Sequence, residues 1–435
     1  MNEVQSEFIN IHQLHVGMYI ELEVGWMSHP FPTGSFKVSS MKQIEIIRGL
    51  GLARVRYFPG KSDQGPGSSL AGTSKSLSAS DRNLGEQVTQ TPTEAEEVQL
   101  RKQRTDLLSA QQRDLMACDR RCGEAIRQYK LVVEQINSKP RSAAGRSLEL
   151  VKSFVGEILG QGETIIRLIS EGMGDRAAMH PVNVTVVSLL LGKSLRLPQS
   201  DMIDLGMAAF LHDIGKTQLP DRVRWPDENF SPAEYKLYQE HVAQGVVASQ
   251  RMELTYGVRQ AIAQHHEMVD GSGFPARLEG DSLSLPAKIV ALVNRYDNLC
   301  NPSRPATAIT PHEALSLIFA QLKTKFDSVA LSAFIRMMGV YPPGSVVQLV
   351  DGKYAIVVSV NSSRPLKPRV IVYEPTVPKH EALILDLEQT PSIGIRRSLK
   401  PVNLPMAAME YLSPRQRICY FFEKAVDSSP AEDSL

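Results

Sequence analysis

Apolar and polar positions alternate over short distances near the start of the chain. Between residues 8 and 57 the stretches MYIELEV and ARVRYF alternate in this way and are separated by Gly and Pro. This pattern is typical of short strands, while residues 39–50 fit a short helix. The sequence therefore predicts a small β-rich module over residues 1–59.

A polar segment and then a long amphipathic segment follow this module. Residues 60–93 are rich in Gly, Ser and Thr and almost lack large apolar side chains, which predicts a flexible linker. Residues 94–139 contain no proline before Ser138 and carry apolar side chains three and four positions apart, which predicts one long helix. Its apolar stripe is formed by Leu115, Cys118, Cys122, Ile126, Tyr129, Val133 and Ile136. This stripe fits two partners equally well, a second copy in a homodimer or the protein's own body.

Helical periodicity dominates residues 140–340, which contain apolar faces such as VTVVSLLLG and LSLIFAQL separated by prolines. After residue 340 the pattern changes to VVQLV, YAIVVSV and PRVIVYE, with the turn DGK between the first two. This change predicts a β-hairpin and a third strand. We also expect a last helix over Arg415–Val426. The expected fold is mainly α, with a small β appendage and C-terminal helix over residues 341–435.

Composition and charge exclude several classes of protein. The 435 residues are 42% hydrophobic and 22% charged, and the formal net charge is +1, so no bulk field favours a nucleic acid polymer or an anionic membrane. No run of 18 apolar residues predicts a membrane span, and the N-terminus lacks a signal-peptide pattern. The four scattered cysteines fit free thiols in a reducing cytosol. We therefore expect a cytoplasmic protein.

Histidine and aspartate residues cluster in four segments of the helical region. His212 and Asp213 lie in FLHDIGK, after an apolar helical run and before a glycine turn. A carboxylate can bridge two cations and an imidazole binds one, so an adjacent pair is a reasonable start for a binuclear metal site. The pair alone is a weak signal, and any single histidine is more often an ordinary surface or core residue.

The segment HHEMVDGSGFP, residues 265–275, is much more specific. It joins two imidazoles and two acids, Glu267 and Asp270, to a Gly-x-Gly-aromatic-Pro turn. A purely structural turn remains an alternative, since Gly and Pro supply turn geometry by themselves. The histidines favour a metal site.

Together these segments resemble the HD-GYP subgroup of the HD phosphohydrolases, over roughly residues 150–350. The resemblance rests on His180, HDIGK, His241 and HHExxDGxGFP in this order. It implies an HD-type helical bundle holding two divalent transition metals, iron or manganese. The implied metal ligands are His180, His212, Asp213, His241, His265 and His266, with Asp213 as the bridge. Residues before 138, including HQLHVGMYIEL, resemble an accessory domain of poorly understood role. His12 and His15 there fit a solvated pair better than a metal site.

The implied activity is hydrolysis of cyclic di-GMP to linear pGpG or GMP by a metal-bridging hydroxide, in bacterial signal transduction. Lys216 matches a lysine that faces substrate phosphate, and Arg304 is a candidate for the second phosphate or a solvated surface residue. Asp270 either assists proton transfer or holds its loop. The expected catalytic residues are Asp213, Lys216 and Asp270, and the expected substrate-binding residues are Lys216 and Arg304.

Three positions depart from the family pattern. Phe274 stands where the family has tyrosine, and Arg176 stands where trinuclear members have a glutamate, so two metals are expected rather than three. Asn294 takes the place of a usual aspartate ligand and is a weaker one. We treat Asp297, one turn later, as a structural acid. Arg176 and Asn294 leave open a catalytically weak sensor that binds cyclic di-GMP or a partner protein through a degenerate metal site. A further alternative is an HD phosphohydrolase that acts on another nucleotide, which the HHE and GFP residues disfavour.

Overall fold

The computed structural model describes residues 6–22, 35–48, 52, 54–62, 94–170, 176–226, 229–361, 364, 367–390 and 393–424. The chain divides into two compact units, Met1–Gln112 and Arg113–Leu435. From residue 63 onward the predicted linker lies outside the described residues, as does the end of the chain after residue 424.

The first unit contains a small antiparallel sheet. Its strands are β1 Glu7–Asn10, β2 Tyr19–Glu21, β3 Ser35–Lys37 and β4 Arg54–Tyr57, in the order β1-β4-β2-β3. The helix predicted within residues 39–50 is confirmed as α1, Met41–Arg48. Ile20, Ile44 and Val55 are buried together in its core, so the alternating sequence pattern correctly predicts strands with one apolar face.

The long helix α2 is Glu94–Gln135. Most of its apolar stripe is buried, and the Tyr129 ring contacts the Phe210 ring with centroids 5.2 Å apart. The buried members are Cys118, Cys122, Ile126, Tyr129 and Ile136. Of the two partners considered for the stripe, the structure shows the protein's own body. A homodimer through this helix stays a prediction.

Helices make up most of the second unit, and none in the described part of the chain has the length and apolar character needed to cross a membrane. Several helices begin at side-chain caps, such as Ser231 with Glu234 and Thr310 with Glu313. α4 is buried along most of its length, so it is the central helix. The helices are α3 Pro140–Leu159, α4 Arg176–Ser194, α5 Gln199–Leu211, α6 Pro232–Arg251, α7 Tyr256–Gln264, α8 Leu285–Cys300, α9 Pro311–Gln321, α10 Ser328–Met338 and α11 Met406–Leu412.

A seven-stranded antiparallel sheet completes this unit. Its strands are β5 Thr164–Leu168, β6 Val346–Leu349, β7 Tyr354–Asn361, β8 Arg369–Val372, β9 Ile384–Asp386, β10 Ile395–Leu399 and β11 Tyr420–Lys424. The predicted hairpin is confirmed as β6 and β7, and the predicted third strand as β8. β5 was not predicted. It lies among the helices in sequence and pairs with β7 and β11.

The helix predicted over Arg415–Val426 is wrong. β11 occupies Tyr420–Lys424 and pairs with β5 along its whole length, so that Tyr420 lies opposite Leu168. Tyr420, Phe421 and Phe422 are all buried. Consecutive aromatic residues suit a strand buried on both faces at least as well as a helix, and the partner strand decides between the two.

Candidate metal centre

The HD motif lies at the end of α5, where His212 and Asp213 follow Leu211 and lead into a short 3-10 turn. Gly215 in this turn lies directly against α6. A Cβ atom at Gly215 would stand 2.0 Å from the backbone oxygen of His241. Only glycine allows this approach, which brings the motif next to a second candidate ligand.

Four helices bring the predicted ligands together. His180 lies on α4, His212 and Asp213 follow α5, His241 lies on α6, and His265 and His266 follow α7. Possible ligand atoms lie within 4.8 Å of one another in two groups that share Asp213. One group is His180, His212 and Asp213, and the other is Asp213, His241, His265 and His266.

The two oxygens of Asp213 face different histidines. Its Oδ2 lies 3.5 Å from Nε2 of His180 and 3.4 Å from Nε2 of His212. Its Oδ1 lies 3.6 Å from Nε2 of both His241 and His265. One carboxylate thus stands between two imidazole pairs, which is the arrangement expected of a bridging ligand.

Backbone carbonyls fix the tautomers of three of these histidines. Nδ1 of His212, His241 and His265 donates to the carbonyl oxygens of Ala209, Tyr238 and Ile262 at 2.7, 2.6 and 2.7 Å. A neutral imidazole that donates from Nδ1 presents a lone pair at Nε2. The Nε2 atoms therefore point into the centre as potential ligands.

The side chains of the centre do not satisfy one another's hydrogen bonds, and bound cations would supply the missing partners. Oδ1 of Asp213 is buried and has no hydrogen-bond partner among the described residues. Nε2 of His241 lies 3.3 Å from Nε2 of His265, so two acceptor atoms face each other. A cation beside them would satisfy both, and imidazole with carboxylate is a donor set that suits iron, manganese or zinc.

The environment keeps most of these imidazoles neutral. Burial lowers the pKa of His212 from 6.5 to about 4 and that of His241 to about 3. Burial and neighbouring imidazoles also hold the pKa of His266 well below its usual value. Burial opposes the charged form of His180 as well, but Asp297 and Asp213 outweigh it and raise its pKa. Lys216 and the histidines overcome burial at Asp213 and lower the pKa of its carboxyl.

Asp297 positions His180, because its Oδ2 is hydrogen-bonded to Nδ1 of that histidine. Its Oδ1 accepts from Nδ2 of Asn183 and, at 2.9 Å, from Nδ2 of Asn301. A carboxylate behind a metal-binding histidine fixes the ring and raises its basicity. Asp297 is the structural acid expected from the sequence, whereas the two asparagines were missed because single amides carry no distinctive spacing.

The same asparagines bind the segment that leads into β11. Asn183 accepts from the backbone nitrogen of Tyr420 at 2.7 Å, and Asn301 accepts from that of Ile418 at 2.8 Å. Both also donate to the carbonyl oxygen of Ile418. A hydrogen-bonded path therefore joins this segment through Asp297 to His180.

The loop after His266 is built around Glu267. This buried carboxylate accepts from the backbone nitrogens of Ala276 at 2.6 Å and Leu278 at 3.0 Å. Phe274 stacks on His266, with ring centroids 4.5 Å apart and planes 20° apart. This ring contact needs no hydroxyl, so phenylalanine can replace the family's tyrosine in it.

Asp270 lies at the edge of this loop and is largely exposed. Its Oδ1 accepts from the backbone nitrogen and hydroxyl of Ser272 at 3.0 and 2.6 Å, and its Oδ2 lies 3.7 Å from Nζ of Lys325. Of the two roles considered from the sequence, these contacts favour holding the loop.

A cavity of about 430 Å³ opens beside His265 and His266. Its lining includes four cationic side chains, Arg176, Lys216, Arg295 and Lys325, and no acidic side chain among the residues that the structure describes. The aromatic rings of Tyr235, Tyr238, Phe274 and Phe326 also line it. Such a cavity suits an anion that carries flat rings. Arg304, expected at the substrate, is not among its lining residues, whereas Arg295 and Lys325 were missed by sequence reasoning.

Comparisons with known proteins identify the class of this part of the chain. Residues 162–329 match the family described as an HD domain, and residues 7–146 match a domain of unknown function, DUF3391. Residues 162–329 of the second unit are therefore similar to an HD domain, and the mainly helical fold with β-rich regions before and after them is as expected.

Several proteins that are similar to this chain are named as phosphodiesterases of cyclic dinucleotides. The chain is 24% identical to cyclic di-GMP phosphodiesterase PA4108 of Pseudomonas aeruginosa, over 84% of each chain. It is 28% identical to 3'3'-cGAMP-specific phosphodiesterase 3 of Vibrio cholerae, over 38% of this chain and 36% of that protein. A solved HD-GYP-type protein of Bdellovibrio bacteriovorus aligns over 76% of this chain and 98% of its own, at 15% identity and a TM-score of 0.39. The resemblance to HD-GYP phosphodiesterases is confirmed.

Proposed function

We propose that this chain is a metal-dependent phosphodiesterase that hydrolyses cyclic di-GMP to linear pGpG or GMP. The main support for this proposal is the position of Asp213. Its two oxygens face two separate groups of histidines beside a cationic cavity. The names of the relatives support the substrate. Four buried free cysteines fit a reducing compartment, which supports a cytoplasmic location.

Two divalent transition metals, iron or manganese, are part of this proposal. His180, His212 and Asp213 would hold one, and Asp213, His241, His265 and His266 would hold the other. When bound, such a pair activates water as a nucleophile and offsets negative charge on a phosphoryl group. We place this activity in residues 140–340, with residues 1–59, 60–93 and 94–139 as an accessory module, linker and helix, and residues 341–435 as an appendage.

Lys216 is placed to hold a phosphate beside the centre. Its Nζ donates to Oδ2 of Asp213 at 2.6 Å and lies 4.5 Å from the centre of the Trp225 ring. The side chain is buried and lines the cavity. Although burial lowers the pKa of Lys216, Asp213 opposes this effect, so the ammonium can place a positive charge next to a bound phosphoryl oxygen.

Tyr238 supports the second group of histidines. Its hydroxyl lies 3.2 Å from Nε2 of His266, and burial raises the pKa of its phenol well above 10. The phenol thus stays protonated, and its oxygen can accept a hydrogen bond from Nε2–H of His266, which leaves Nδ1 of that ring as the ligand atom. Together with Phe274 it fixes the orientation of His266.

The proposal is tested by metal content and turnover of anaerobically purified protein. We expect about two iron or manganese ions per chain and hydrolysis of cyclic di-GMP. The name of the Vibrio relative makes 3'3'-cGAMP the second substrate to compare. Absence of bound metal after addition of either ion would contradict the enzyme. Metal binding and substrate binding without turnover would favour the sensor instead.

A further inference from the structure

Arg176, at the start of α4, is held in a fixed position. Its Nε donates to the backbone oxygen of Asn301 at 2.7 Å, and its Nη2 donates to Oδ1 of Asn298 at 2.8 Å. Its guanidinium carbon lies 4.1 Å from the centre of the Trp225 ring. A planar cation fixed by two hydrogen bonds and a ring loses little further freedom when it binds a ligand.

One nitrogen of this guanidinium has no hydrogen-bond partner among the residues that the structure describes. Nη1 of Arg176 is buried, and among the described residues nothing accepts its hydrogen bonds. Arg176 also forms no ion pair with any of them, yet it lines the cavity. Because a buried cationic donor without an acceptor is unfavourable, its position indicates an anionic group that is supplied from the cavity.

The side chains of Asn298 and Asn294 beside Arg176 are neutral amides, so they add no negative charge next to its guanidinium. Nδ2 of Asn298 donates to Oδ1 of Asn294 at 2.6 Å and to its backbone oxygen at 2.9 Å, which turns Oδ1 of Asn298 toward Arg176. A carboxylate at position 298 would pair with the guanidinium and compensate its charge. Asn294, a departure from the family pattern, is therefore part of the chain of hydrogen bonds that positions Arg176.

We propose that Arg176 binds the phosphate of the cyclic dinucleotide that is not being cleaved. This inference rests on the proposed function. Lys216 is bonded to Asp213 and so belongs at the phosphate beside the metal centre. Arg176 is bonded instead to Asn298 and Asn301, and Trp225 contacts both cations. Two of the four cations that line the cavity share one indole, and no acid among the described residues lines it, so the cavity suits a ligand with more than one negative charge.

Arg176→Met and Arg176→Lys test this role in the full-length, metal-loaded protein. For Arg176→Met we expect the KM for cyclic di-GMP to rise about tenfold or more, because a charge-assisted hydrogen bond is lost, while kcat changes by only a few-fold. Arg176→Lys keeps the positive charge but loses the planar set of N–H donors, so its KM should lie between the values of wild type and Arg176→Met. Metal content should stay at the wild-type level in both.

A substrate with one phosphate separates binding from structural damage. Bis(p-nitrophenyl) phosphate carries only the phosphate that is cleaved, so in Arg176→Met its kcat/KM should fall much less than that for cyclic di-GMP. The matched control is Arg336→Gln, which removes an exposed arginine of α10 and should leave all constants unchanged. Equal losses on both substrates, reduced metal content, or an unchanged KM for cyclic di-GMP would each overturn the inference.

Equilibrium binding of cyclic di-GMP makes this test independent of turnover. If wild type fails to hydrolyse cyclic di-GMP, the proposed function is wrong, but calorimetry still compares ligand affinity. Weaker binding by Arg176→Met, and not by Arg336→Gln, would then support the anion subsite. Equal affinity of wild type and Arg176→Met would contradict it.

Discussion

Asp213 has a role that no other described side chain can take over. It is the one residue common to both groups of potential ligands, and each of its oxygens faces one group. Its negative charge also pairs with Lys216. Its removal should therefore affect two cations and one lysine at once.

Asp213→Ala should lower metal content at both sites and reduce hydrolysis of cyclic di-GMP by more than about 100-fold. Elemental analysis and a turnover assay on the same preparation check this expectation. Asp281→Ala, which removes an exposed acid from the same domain, is the matched control and should keep both properties. Wild-type turnover in Asp213→Ala would mean that the site is elsewhere.

Asn294→Asp should increase the resistance of the bound metal to a chelator. The added carboxylate brings negative charge to the cavity that contains His265 and His266 and is a stronger ligand than an amide. The added charge also makes the cations less electrophilic, so turnover can change in either direction. Metal loss is measured against chelator concentration for both proteins. Identical curves would show that residue 294 does not act on the metals.

At the scale of elements, two close backbone approaches hold the centre together. The turn that contains Gly215 lies against α6, and Gly273 lies against the backbone of His266–Met268. Both contacts leave no space for a side chain. The HDIGK and HHExxDGxGFP motifs thus contain packing requirements as well as candidate ligands.

Gly215→Ala should destabilise the protein by about 3 kcal/mol or more, because the new Cβ would meet backbone atoms that cannot move aside. It should also weaken metal binding, since the HD turn would move away from His241. Gly145→Ala is the control. It is exposed on α3 with nothing near its Cβ and should stabilise by about 0.5–1 kcal/mol. Urea unfolding measures both, and equal stabilities would contradict the packing argument.

The sequence predicts local elements better than distant pairings. The β6–β7 hairpin has its turn, DGK, between its strands and was predicted. β5 and β11 pair although more than 250 residues separate Leu168 from Tyr420, and neither was predicted as a strand. The ligands were predicted because their motifs are distinctive. The supporting amides Asn183 and Asn301 were not, because only the fold brings them to Asp297.

For the molecule as a whole, the buried histidines make folding dependent on pH. In the metal-free protein the pKa of His212 is about 4 and that of His241 about 3, against 6.5 when unfolded. Between pH 6.5 and 5 the unfolded chain thus binds protons that the folded chain does not. His180, whose pKa is raised, contributes its full stabilisation throughout this range.

The free energy of unfolding of chelator-treated protein should therefore fall as the pH is lowered from 6.5 to 5, by about 1.6 kcal/mol for each of these two histidines. Urea unfolding at several pH values measures this slope. In His241→Gln the unfolded chain should bind about one proton fewer than in wild type, so the free energy of unfolding should change less steeply with pH. A free energy of unfolding that does not depend on pH in this range would contradict the burial of neutral imidazoles.

The contact between β11 and the metal centre also affects the order of events on the ribosome. A nascent chain that has emerged through α8 already contains all six candidate ligands and Asp297. It still lacks Ile418, which binds Asn301 from 117 positions downstream. His180 can therefore gain its full support only after residue 418 has been synthesised. A metal that enters earlier would meet a site in which Asn301 lacks this contact.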